Sequence, residues 1–87
     1  MDFIEYLQLR HRIKNGERQI KESSAKQYQN RLTNLQRLNI YNGEKQISEE
    51  IREKIQNHYK DTTNHYPRTI QYYIEFLQYD STDKLSD

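Results

Sequence analysis

The stretch Tyr66-Pro67-Arg68-Thr69-Ile70-x2-Tyr73-Ile74-x2-Leu77 most narrows what this chain can become. Ile70, Tyr73, Ile74 and Leu77 recur at i, i+3, i+4 and i+7, the spacing of one face of an α-helix, and Phe76 widens that face. Pro67 directly precedes them and is expected at the first helical position, where its missing N–H costs nothing. A second stretch, Ser24-x3-Tyr28-x3-Leu32-x2-Leu35, repeats the arrangement and Leu38 extends its face. Ser24-x-x-Gln27 fits a capping box, in which the Ser hydroxyl accepts an orphan N–H and the Gln side chain reaches back. Asn42-Gly43 is expected to end that helix or its trailing turn, because glycine accepts the left-handed conformation found there.

Two further helices fill the rest of the chain. In the first, Phe3 with Leu7, and Tyr6 with Leu9 and Ile13, form adjoining stripes. Asp2 is placed to cap it, Lys14 falls in its last turn and Asn15-Gly16 supplies the stop. Residues 16–23 read as a polar connection. In the third helix Ile51, Ile55 and Tyr59 recur every four residues after Ile47, with Ser48 as cap and Glu49 and Glu50 where the helix dipole favours anions. Asp61-Thr62-Thr63-Asn64 reads as a loop. No segment sustains the period-two alternation of a strand. The expected fold is therefore all-α, a compact four-helix bundle over residues 1–80, followed by a polar tail at 81–87.

Composition limits how such a bundle can be held. Hydrophobic residues are 32% of 87, and eight of them are tyrosines, so core area must come partly from rings whose hydroxyls need partners. Charged residues make up 31% but the net charge is +1, which is not the uncompensated charge of a disordered chain. Residues 1–46 hold nine Lys/Arg against five Asp/Glu, net +4, while 47–87 hold five against eight, net −3. That asymmetry fits a polyanion-facing half, or simply a mixed solvated surface. The absence of cysteine excludes disulfides and thiolate metal sites and makes a reducing compartment the simplest setting. No apolar run approaches a bilayer span, and Met1 is followed by an acidic residue rather than a basic leader, so the expectation is a soluble cytoplasmic protein without membrane contact.

No motif in the chain carries chemistry. His11, His58 and His65 have no metal-ligand spacing, so neither metal nor cofactor is expected. Gly16 and Gly43 stand alone and make no phosphate loop, and Glu49, Glu50 and Glu53 are explained by a helix start and an exposed face. The tyrosines lack the surrounding cations and acids that would activate a phenolic nucleophile. The chain is not expected to be an enzyme.

Taken in order, the four helices resemble the N-terminal core-binding domain of tyrosine recombinases, the phage-integrase type of SAM-like orthogonal helical bundle. Phe3-Ile4-Glu5-Tyr6-Leu7 is similar to the family's F-x-x-Y/F-L opening, and Ser24, Tyr28 and Leu32 to its S/T-x3-Y-x3-L helix. Ile47, Ile51 and Ile55 match its third helix, and Pro67-Arg68-Thr69-Ile70 with Phe76-Leu77 its fourth, covering residues 3–79. The resemblance implies a half-clamp on double-stranded DNA, with a role in DNA integration, recombination or mobile-element maintenance. It implies groove contacts from Ser24, Lys26, Gln27, Asn30 and Arg31 on the second helix, and from Arg68, Thr69, Gln71 and Tyr72 on the fourth. Those residue types suit DNA contact, since Lys and Arg neutralise phosphates, hydroxyls fix register, and Asn or Gln can read adenine edges.

Two departures qualify the likeness. The family's Arg, His-x-x-Arg and Tyr catalytic constellation is missing, so the expected chain binds without cutting, either free-standing or joined to a recombinase catalytic domain. Tyr73 and Ile74 replace small residues midway along the fourth helix. A sequence pI near 8.0 is low for a DNA binder, and one isolated half-clamp is expected to bind weakly because it neutralises only a few phosphates. The alternative is a small helical protein-interaction module or mobile-element accessory, motivated by tyrosines such as Tyr41, Tyr66, Tyr72 and Tyr79 beyond what four stripes need.

Overall fold

Four helices form where the apolar periodicity predicts them. The computed structural model describes residues 2–14, 16–59 and 64–85, without the side chains of 81–85. Among these, α1 runs Phe3–Ile13, α2 Glu22–Arg37, α3 Glu49–Tyr59 and α4 His65–Leu85, with no strand. The expected all-α fold and four-helix bundle are present, with a radius of gyration of 13.3 Å, near the ~12 Å of a compact chain this long.

Two helix starts follow the local chemistry. The Asp2 carboxylate accepts from the Glu5 N–H at 2.8 Å, and the Ser48 hydroxyl accepts from the Ile51 N–H at 3.2 Å. Two others differ from expectation. The second helix begins at Glu22 after Lys21, with no side-chain cap, so Ser24 is its third residue rather than its cap. Lys21 already has the extended backbone of a cap, and Ala25 N–H bonds its carbonyl at 2.9 Å, one turn earlier than the Ser24 frame requires. In α4 the Arg68 N–H bonds the Asn64 carbonyl at 3.1 Å, which puts Pro67 third and not first. The difference is harmless, since none of the first helical N–H groups has a partner within the helix.

The end of α2 also moves. Asn39 takes φ 59°, its N–H bonds the Gln36 carbonyl at 3.1 Å and the Ile40 N–H bonds the Leu35 carbonyl at 2.9 Å. This is a Schellman closure on a left-handed asparagine, three residues before the Asn42-Gly43 stop that was expected. Leu38 thereby leaves the apolar face and is 44% exposed, while Ile40 and Tyr41 turn back into the core. Replacing Asn39 with alanine is expected to cost about 1–2 kcal/mol. Asn39→Gly should be close to neutral, and urea unfolding of both variants checks the pair.

Phe3, Tyr6 and Leu7 of α1, Ala25, Leu32 and Leu35 of α2, Ile51 and Ile55 of α3 and Ile70 of α4 are buried together with Ile40 and Tyr41. The aromatic rings supply what the short aliphatic list lacks. Phe3 meets Tyr73 edge-on at 5.3 Å and Tyr6 meets Phe76 at 5.6 Å, joining α1 to α4. Tyr41 meets Tyr73 at 6.1 Å, and Tyr59 of α3 stacks on Tyr66 of α4 at 3.9 Å. The helical backbone of α4 continues through the polar stretch expected to be a tail, as far as Leu85. The expected stop at Asn15, the loop at 61–63 and residues 86–87 lie outside the described residues. Among the described residues no helix is long and apolar enough to cross a membrane.

Candidate nucleic-acid interface

Helices α2 and α4 pack side by side, and their seam is built on a tyrosine pair. Tyr28 of α2 meets Tyr72 of α4 edge-on, with centroids 5.1 Å apart and planes at 82°. The guanidinium of Arg31, three residues beyond Tyr28, lies 5.5 Å from the Tyr28 centroid. Arg68 precedes Tyr72 by one turn and its charge reaches the Tyr72 hydroxyl. One arginine from each helix therefore flanks the ring pair. Neither arginine forms an ion pair among the described residues.

The seam is locked from beneath by a buried cation. Arg10 of α1 is 7% exposed, and its guanidinium lies 4.6 Å from the Tyr72 centroid. Its Nε donates to Glu75 Oε2 at 2.9 Å and its Nη2 to Glu75 Oε1 at 3.2 Å, a two-pronged pair between α1 and α4. Glu17 sits 3.4 Å away on the other side and Lys14 approaches Glu75 at 3.8 Å. The hydrogen bond to Glu75 raises the Arg10 pKa further above its ordinary value, so the buried group stays charged. Burial, then the neighbouring Tyr28, raises the Tyr72 phenol, with Arg10 and Arg68 pulling the other way. Tyr72 is thus neutral at physiological pH and packs against Arg10 and Tyr28.

The expected contact residues divide into groups. Ser24, Tyr28 and Arg31 follow one another along the α4-facing flank of α2, with Ser24 and Arg31 half-buried. Gln27 is exposed one turn before Arg31. Lys26 and Asn30 are exposed on a separate stripe, where Lys26 is 3.1 Å from Glu22 in an i,i+4 pair that partly neutralises it. Arg68 and Gln71 are exposed.

Thr69 has to be removed from the set. It is fully buried, and its hydroxyl donates to the His65 carbonyl at 2.8 Å, so no polar atom of its side chain is offered outward. Its helical position beside Ile70 explains this. A threonine on the edge of an apolar stripe satisfies itself on the preceding turn and buries its methyl group.

One residue absent from the expected set joins it. Arg52 of α3 lines a polar hollow of about 240 Å³ with Asn64, Pro67, Arg68 and Gln71. The signal was present in the small sequence separation of Tyr59 and His65. So short a link keeps α3 close to the start of α4, and the fold sets Arg52 opposite the first two turns of α4. Among the described residues no three His, Asp or Glu side chains gather as a metal site.

No protein-family model, curated protein or solved structure matches this chain. The likeness to recombinase core-binding domains rests on the chain's own residues.

Proposed function

We propose that this chain is a DNA-binding helical domain, the core-binding half of a recombinase-type clamp without its catalytic part, acting in DNA integration, recombination or mobile-element maintenance. One observation carries the reading: Arg31 and Arg68, free of carboxylate partners among the described residues, flank the Tyr28–Tyr72 contact. Helices two and four then present cations from adjacent surfaces to one polyanion, with Gln27 and Gln71 nearby as base- or phosphate-directed donors. The packing also weighs against a protein-interaction module. Of the tyrosines that motivated it, Tyr41 is fully buried and Tyr66 and Tyr72 pack against the core, which leaves Tyr79 at 37% exposure.

Fluorescence anisotropy with a labelled duplex tests the proposal. A domain that neutralises about three phosphates should bind weakly at ~50 mM salt and lose roughly 40-fold in affinity by ~200 mM. Arg31→Gln and Arg68→Gln should each lower affinity while leaving the helical content unchanged. Absence of binding at the lower salt sinks the reading for this chain.

A further inference from the structure

We propose that the hollow between α3 and the first two turns of α4 is a phosphate-binding site, and that it holds a backbone phosphodiester outside the reach of α2. The second clause rests on the DNA reading above; the first does not. Arg52 from α3 and Arg68 from α4 line the hollow together with the side-chain amides of Gln71 and Asn64. Two guanidinium groups and two amides provide only donors and positive charge where an oxyanion needs them, apart from the amide oxygens, which can turn away. No carboxylate is among the described lining residues.

Four cations elsewhere in the molecule are held by carboxylates, while Arg31 shares the unpaired state of Arg52 and Arg68 among the described residues. Arg10 and Lys14 are tied to Glu75, Lys26 to Glu22 and Lys54 to Glu50. Arg52 and Arg68 have no such partner among the described residues, although Glu49 and Glu53 share α3 with Arg52. The volume of about 240 Å³ exceeds what one phosphate needs. Planar guanidinium groups on two separate helices can each offer paired N–H donors to such a group. The site adds a contact from α3, which the sequence alone left without a part in binding.

Two measurements separate this inference from the reading it builds on. In the first, the salt dependence of duplex binding is compared for the wild type and Arg52→Gln. Loss of one phosphate contact should reduce the slope of log K against log salt by about 1 and weaken all duplex sequences alike. An unchanged slope, with Arg31→Gln still weakening binding, overturns the inference and leaves the DNA reading standing. The second titrates the wild-type protein with inorganic phosphate at constant ionic strength, using sodium chloride as control. Phosphate-specific shifts of the Gln71 side-chain amide and of the Arg52 and Arg68 Nε–H resonances, lost in Arg52→Gln, support the site even if duplex binding fails. Equal responses to chloride and phosphate overturn it.

Discussion

Glu75→Ala is expected to destabilise the protein by on the order of 3 kcal/mol, because it strands a buried charge instead of merely deleting a contact. Arg10 is 7% exposed and cannot lose its proton, so without Glu75 its guanidinium keeps only Glu17 at 3.4 Å and the face of Tyr72. Glu75 itself is about one-quarter exposed, at 27%, which places the cost at the lower end of the range for breaking buried pairs. A domain of this size has about 4–13 kcal/mol in total, so the melting temperature should fall by roughly 12–24 °C. The double variant Arg10→Met/Glu75→Leu should recover most of that loss, since apolar side chains of similar length fill the space without a desolvated charge. Thermal unfolding of wild type, Glu75→Leu, Arg10→Met and the double variant forms the cycle, with Glu75→Ala measured beside it. A double variant as unstable as Glu75→Ala would mean that packing around Tyr72, and not the stranded charge, sets the cost. The same cycle bears on binding, because Arg10 holds one side of the Tyr72 ring that joins the α2 and α4 surfaces.

What could be read from the chain alone divides by the range of the interaction. Helix identity was legible because Ile70, Tyr73, Ile74 and Leu77, or Ile51 and Ile55, repeat locally, and Ser48 before two glutamates marks a start by chemistry within one turn. Helix ends were less so. Asn39 and Gly43 are both able to take positive φ, and they do, at 59° and 97°; only the tertiary pull of Ile40 and Tyr41 into the core decides that α2 stops at the first. Thr69 illustrates a neighbouring failure, since a threonine looks polar in sequence yet bonds its own helix and counts as core. The candidate interface was half legible. Arg31 and Arg68 were named from the family resemblance, but Arg10 and Glu75 are 65 residues apart in sequence and carry no shared periodicity. Arg52 needed α3 and α4 to be brought together before its place beside Arg68 had meaning.

Alkaline pH should unfold this protein earlier than a domain of equal size with an aliphatic core. Burial, then the charges of Glu44 and the Tyr73 hydroxyl, pushes the Tyr41 phenol up to about 12 from 10.0. Burial likewise raises Tyr6, with Glu75 adding to it, and raises Tyr59, with Tyr66 adding to it. The sign follows from the raised folded value. Below pH 10 the folded and unfolded chains both keep the phenolic proton, and the packing energy is fully present. Above pH 10 the unfolded chain releases its protons first, so folding stability declines until the folded Tyr41 ionises near 12. A two-unit shift corresponds to about 2.7 kcal/mol, lost across that window for Tyr41 alone, and the other raised tyrosines act in the same direction. Urea unfolding at pH 8, 10 and ~11.5 should show the fall, and Tyr41→Phe should flatten part of it while giving up the hydroxyl's 2.8 Å bond to the Glu44 carbonyl. Stability that stays level from pH 10 to 12 would show that these hydroxyls reach water, and with it that the tyrosines are a surface feature rather than the substance of the core. In that case the protein-interaction reading would regain the aromatic excess that the folded packing takes from it.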